Sequence, residues 1–416
     1  MNRLRLLCAA VALSSPLIAA SALPAADWAR FRGANGSGVA EGTFDGKLTE
    51  KDVAWTVDLP GKGHCSPSVY KDRVYLTSAD VEEGKRYVLC LSAADGKTVW
   101  KKAYEFEKFK QHADNSFASA TPAVDDAGVY VAWCTPEKYT LIALSHEGKE
   151  LWSQDLGKFT SVQGQGTSPV VVDDAVIIAN DQEGPKSSIA AFDRRTGNLL
   201  WSVDRKTSDK TSMSTPVLFA QKGRPPVLVF TSKSSGMTAI DPKTGTVAWE
   251  APKVFDARTV GSPVVAGDLV IGACGEGGAH RVLVAVRPGK SEEEPAVAYT
   301  IKGTAPYVPS PLVKGDRLYM WADNGGVSCV NATTGAEVWA GKVGGLYYGS
   351  PVLVGDALWC VNRKGELVGV SAAGEKFEQL GKIDLKEPSH ATPAVAGDKM
   401  YVRTVTKLVC FKLKAQ

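Results

Sequence analysis

The sequence predicts an all-β protein, an eight-bladed β-propeller of four-stranded antiparallel blades closed by an N-terminal strand near residues 53–57. Three observations lead there. A Ser/Thr-Pro dipeptide recurs eight times, short β-branched and aromatic segments alternate with turn residues, and the strand missing from the last repeat stands ahead of the first.

The dipeptide occurs at Ser66-Pro67, Thr121-Pro122, Ser168-Pro169, Thr215-Pro216, Ser262-Pro263, Ser310-Pro311, Ser350-Pro351 and Thr392-Pro393, at intervals of 40 to 55 residues. That period belongs to propellers and solenoids. In the sixth copy the dipeptide leads into Leu312-Val313, a Lys314-Gly315-Asp316 turn, Arg317 to Met320, Val327 to Val330, Thr334-Gly335 and Val338-Trp339. Such spacing suits a meander of three or four strands, and no stretch holds apolar residues at a sustained 3.6-residue spacing.

Seven successive copies end on an aromatic, giving a structural set of Trp100, Trp152, Trp201, Trp249, Tyr299, Trp339 and Phe377. The eighth copy stops at Val409 to Leu413 without one, while Val53-Ala54-Trp55-Thr56-Val57 is left over at the start. Pairing these two segments places Trp55 in the eighth blade and removes the edges an open array would expose. A solenoid would instead need polar end caps.

Three parts follow: a signal peptide over residues 1–22, a leader or cap over 23–52, and one propeller over 53–416. Arg3 and Arg5, an apolar run from Leu6 to Ala20 and Ala20-Ser21-Ala22 form the three regions of a secretory signal, so an exported protein, periplasmic or extracellular, is expected. No later run approaches the ~20 apolar residues of a membrane span. Cys8 lies inside the apolar run rather than at its end, so no lipid anchor is expected. With 48 basic and 45 acidic residues scattered along 416, no nucleic-acid partner is expected either. The chain is expected to act as a monomer.

Beyond Cys8, Cys65, Cys90, Cys134, Cys274, Cys329, Cys360 and Cys410 make an odd, thinly spread set, so at least one thiol is free or pairs between chains. Without a C-x-x-C, neither a redox dithiol nor a zinc knuckle is indicated. Cys90, Cys329 and Cys410 occupy comparable third-strand positions, as small buried hydrophobes do.

The run Ala239-Ile240-Asp241-Pro242-Lys243-Thr244-Gly245-Thr246-Val247-Ala248-Trp249 fits the pattern A-x-D-x-x-T-G-x-x-x-W, and Ala191-Phe192-Asp193 through Gly197 to Trp201 fits it too. By these residues the chain resembles the PQQ-like (pyrroloquinoline-quinone-like) repeat proteins over residues 53–416. That superfamily joins quinoprotein dehydrogenases to the BamB-type assembly factor of the outer-membrane barrel-insertion machinery. Two blades depart: an acidic insertion, Ser291 to Pro295, precedes Tyr299, and the seventh copy is a residue short before Phe377. The leader Trp28-Ala29-Arg30-Phe31-Arg32-Gly33-Ala34-Asn35-Gly36-Ser37-Gly38 is similar to that of secreted members. It is expected to pack on the propeller rather than cradle phosphate, since no helical pattern follows its glycines.

Residues at a constant offset in most copies build blades. Asp72, Asp174, Asp268, Asp316, Asp356 and Asp398 all stand five residues after their proline and are expected to make Asx-type turns. Chemistry is sought where the copies differ. Three residues before each proline, near the expected channel mouth, stand His64, Ser119, Gly166, Met213, Val260, Val308, Tyr348 and His390. Ring closure makes His64 and His390 neighbours that could hold a metal or an anion, or move protons, but no third ligand is fixed by spacing. The ligand- or partner-binding candidates are therefore His64, His112, Asn115, Gln163, Gln165, Arg258, Tyr307, Tyr348 and His390; no metal site and no catalytic residue is assigned.

The resemblance to quinoproteins implies a possible PQQ with Ca²⁺, a catalytic aspartate, a tryptophan platform and an adjacent cysteine pair, serving alcohol or sugar oxidation. No adjacent cysteines exist here, so no cofactor is expected. The expected function is an exported, non-catalytic binding or scaffold module for a protein or small ligand at the channel mouth. The alternatives are a PQQ-dependent dehydrogenase and a carbohydrate sensor using Tyr307, Tyr347 and Tyr348.

Overall fold

The computed structural model describes residues 27–414 except 43, 185, 278–279 and 290–293. The expected signal peptide, the start of the leader and most of the acidic insertion lie outside these. No described helix is long and apolar enough to cross a membrane.

The described strands form eight sheets, each built on four antiparallel strands, with Val39–Ala40 added in parallel to the inner edge of one. Blades 1 to 7 span 68–105, 123–155, 170–205, 217–251, 264–302, 312–342 and 352–384, each running from the channel outward. Blade 8 takes its three inner strands from 394–412 and its outer one from Val53–Asp58, with Trp55 opposite Cys410. This is the register in which Trp100 faces Cys90 and Trp339 faces Cys329. In each outer strand a bulge falls just before that position. A bulge re-aims a side chain, here onto the next blade.

The D-x-x-T-G half of the repeat receives what the tryptophan half delivers. Trp100, Trp152 and Trp201 donate their indole N–H to the carbonyls of His146, Arg194 and Pro242 in the following blades, at 2.6, 3.1 and 2.9 Å. Each ring lies on a glycine, Gly148, Gly197 or Gly245, whose φ is 75–82° and where a Cβ would sit 2.7–2.8 Å from the indole. Only glycine tolerates both the left-handed backbone and the contact.

Blade 7 corrects the sequence assignment. The aromatic position of its outer strand, Gln379–Asp384, is held by Gly381, opposite Gly369. Phe377 lies in the turn before that strand and packs on Trp339 of blade 6, with ring centroids 6.0 Å apart. The shortened turn displaces its glycine, Gly374 has no atom within reach of a Cβ, and the Trp339 indole N–H is left without an acceptor.

The core is a circle of layers between blades, one cluster joining blades 3 and 4 and another blades 6 and 7. The layer at the closure gathers Trp359, Tyr401, Phe411 and Val69 with Trp28, Phe44 and Leu48 of the leader. All seven described cysteines are buried and free. The repeated aspartates differ from expectation. Asp174, Asp268 and Asp356 point to solvent and pair with Arg194, Arg287 and Lys314. The Asx-type bonds are made instead by Asp193, Asp241 and Asn331 in the outer turns.

Candidate functional site: a funnel at the channel mouth

The site rests on a belt of hydrogen bonds at the channel neck. The hydroxyl of every Ser/Thr-Pro accepts the backbone N–H of its counterpart in the preceding blade: Ser66 to Thr121, Thr121 to Ser168, and so on round to Thr392 to Ser66, all at 2.9–3.2 Å. Proline restricts the residue before it to extended backbone, which fixes the N–H direction. The belt is complete, with one bond per blade and the last across the closure.

Above the belt opens a cavity of about 650 Å³, lined by all eight residues that stand three before the prolines. The leader forms its floor. Trp28 pairs with Val69 of blade 1, Arg30 and Asn35 bond to Pro216 and Leu218 of blade 4, Arg32 bonds to Pro311 of blade 6, and Val39–Ala40 pair with the inner strand of blade 7. The leader thus crosses the channel, and Phe31 faces the funnel from below.

The loop between blades 1 and 2 arches over the rim as a strap. Arg86, 3% exposed, anchors it with its guanidinium 4.6 Å from the Phe106 ring centre and 5.9 Å from those of Phe109 and Phe117. These phenylalanines serve the strap's own packing. At its far end Asp114 reaches blade 7, where it pairs with Arg363 and accepts the Tyr348 hydroxyl at 3.1 Å. Asn115 donates to the carbonyls of Gln163 and Gln165 at 2.7 and 3.2 Å, tying the strap to the next loop.

His64 and His390 meet across the closure with ring centroids 4.2 Å apart, and Tyr348 packs edge-on against His390 at 5.2 Å. Burial, then the nearby His390, Arg403 and Arg363 charges, holds His64 well below the ordinary histidine range, and burial lowers His390 too. Both are neutral at pH 7. On the facing wall Arg258, 6% exposed, contacts the Tyr307 hydroxyl at 3.4 Å and Glu183 at 3.3 Å. Asp323 beneath them takes the N–H groups of Tyr307 and Val308 at 2.7 and 3.0 Å, while burial raises its pKa.

Of the candidates, His64, His112, Asn115, Gln163, Arg258, Tyr307, Tyr348 and His390 line the funnel. Gln165 does not: it is buried and donates to Tyr139 and to the Thr167 carbonyl. Tyr347 is fully buried against Trp321 and gives no sugar-binding surface. Asp114, Glu276, Asp323 and Phe31 were missed. None stands three before a repeat proline, and only the closed ring and the leader crossing it bring them to the funnel.

The residues present do not fit a calcium-bound quinone. Calcium takes six to eight oxygen ligands, including available carboxylates. Here Asp114 is committed to Arg363, Glu276 to Lys210 at 2.7 Å and Asp323 to two backbone N–H groups. Among the described residues no three His, Cys, Asp or Glu side chains converge as a metal set, and the lining includes no tryptophan platform.

Comparison with known proteins agrees with this architecture. BamB from Moraxella catarrhalis superposes with a TM-score of 0.61 at 16% identity, covering 88% of this chain and 98% of that one. Quinohemoprotein alcohol dehydrogenase from Comamonas testosteroni gives 0.65 at 14%, covering 96% and 82%. In sequence, 159 residues are 33% identical to quinohemoprotein alcohol dehydrogenase ADH IIB of Pseudomonas putida, spanning 36% of this chain and only 21% of that enzyme. Residues 84–340 and 226–379 match one family profile. The chain belongs to the family described as outer membrane protein assembly factor BamB.

Proposed function

We propose that this chain is an exported, non-catalytic binding module, acting as a monomer, whose funnel receives a small ligand or a protruding segment of a partner protein. One observation carries the proposal. Eight symmetry-related positions converge on one cavity yet carry six different residue types, apolar at Met213, Val260 and Val308 and polar at His64, Ser119, Tyr348 and His390. An apolar pocket with a few convergent polar groups is the usual form of a recognition site. The family membership agrees, although fold alone does not assign a partner.

The test pairs two titrations of the purified mature protein. Pyrroloquinoline quinone, with and without Ca²⁺, is expected to give neither saturable binding at micromolar levels nor alcohol-dependent dye reduction. Peptides selected by display against the native protein are expected to bind, and to lose at least tenfold in affinity when His112 and Tyr307 are both changed to Ala with the melting temperature unchanged. Calcium-dependent quinone binding with dye reduction would establish the dehydrogenase alternative instead. Export is checked by sequencing the mature N-terminus, expected between Leu23 and Asp27.

A further inference from the structure

We propose that the floor of the channel holds a small inorganic oxyanion, bound by Arg30 and Arg32 of the leader. The argument is independent of what the funnel receives. Arg32 is fully buried, and its bonds are to the carbonyls of Pro311 at 2.6 Å and Ser37 at 3.3 Å, both through one nitrogen. Its Nε and Nη1 are buried without any partner. Arg30 bonds to the Pro216 carbonyl at 2.7 Å, and its Nε is likewise buried and unpartnered. Neither forms an ion pair with any described carboxylate, and the group nearest Arg32 that could carry negative charge is the Cys360 thiol, which burial keeps protonated.

A guanidinium removed from water without a counter-charge costs several kcal/mol, and buried donors are almost always satisfied. The half-buried Arg30 adds a second positive charge that Arg32 feels, and the leader is built to keep both there. At Gly38 a Cβ would stand 2.6 Å from Nη2 of Arg32, and at Gly36 one would stand 3.4 Å from Nη2 of Arg30, both glycines having positive φ. The neck cannot supply compensation, because it meets the two side chains only through the carbonyls of Pro216 and Pro311, which accept hydrogen bonds but bring no charge. An oxyanion offers both missing elements, negative charge and several acceptors in the geometry a guanidinium fork prefers.

The test uses the full mature chain at constant ionic strength. Inorganic phosphate or sulfate is expected to raise the melting temperature by a few degrees over chloride, saturating with concentration as specific binding does. Arg32→Met is expected to abolish the saturable part. A rise that is linear in salt and equal in the variant overturns the proposal, since it reflects general exclusion from the surface. If the variant does not fold, crystals of the unmodified protein grown with selenate decide: an anomalous peak between Arg30 and Arg32 is expected, and ordered water alone overturns the site.

Discussion

The neck and the rim of the channel lie a few residues apart in every repeat, yet one is eightfold and the other is not. At the neck, Ser or Thr fills all eight places and each makes the same bond to the next blade. At the rim, three residues earlier, eight places hold six residue types. A position repeated because it joins neighbours cannot also distinguish one side of a ligand from another. Recognition therefore falls to the places that assembly leaves unconstrained.

The largest effect expected from breaking this contrast lies at the neck. Thr215→Val and Ser66→Ala each strip one acceptor from a buried N–H, the first at the joint of blades 3 and 4 and the second at the closure. Each is expected to lower unfolding stability by about 1–3 kcal/mol. Unfolding free energies from urea titration should agree between the two within about 0.5 kcal/mol, and a clearly cheaper loss at Ser66 would show the closure to be weaker than the other joints.

A smaller effect is expected at the rim, from pH. His64 and His390 are favoured neutral in the folded chain. Well above the ordinary histidine value of about 6.5 both folded and unfolded states are neutral, so the pair contributes no pH dependence. As pH falls through that value the unfolded chain takes up protons that the folded one refuses, stability drops, and the drop levels off below the folded pKa values. Between pH 7 and 5 the melting temperature is expected to fall by ~2 °C more in the natural protein than in a His64→Gln, His390→Gln double variant. Parallel melting curves would remove the histidines from the account.

The smallest effect on stability concerns the strap. Asp114→Asn weakens a half-exposed ion pair worth less than about 1 kcal/mol, so the melting temperature should barely move. Trypsin should nevertheless cut after Lys108 or Lys110 several-fold faster, because the far end of the strap has lost its latch. Unchanged digestion would mean that the Arg86 aromatic cage alone holds the loop.

The same contrast explains what could be read from the sequence. Ring closure was legible because Trp55 supplies the aromatic that blade 8 lacks, and the rim because an offset from proline is a property of the chain. The belt was not. A serine before proline signals extended backbone, but that its oxygen receives the next blade's N–H follows only from the angle between blades. Phe377 misled because composition put an aromatic near the expected place, while the bulge that defines the position leaves no mark in sequence. Asp114 and Arg363 are 249 residues apart, and no local pattern links them.

The leader's course has a consequence for how the molecule assembles. The segment from Trp28 to Ala40 is synthesised ahead of every blade, yet its seats lie on blades 1, 4, 6 and 7. Its last seats, on blades 6 and 7, exist only once nearly the whole polypeptide has been made. Once docked, it works as a keystone: spokes on opposite sides of the wheel are tied through the hub, so a fault in a late blade is felt at the oldest end of the chain.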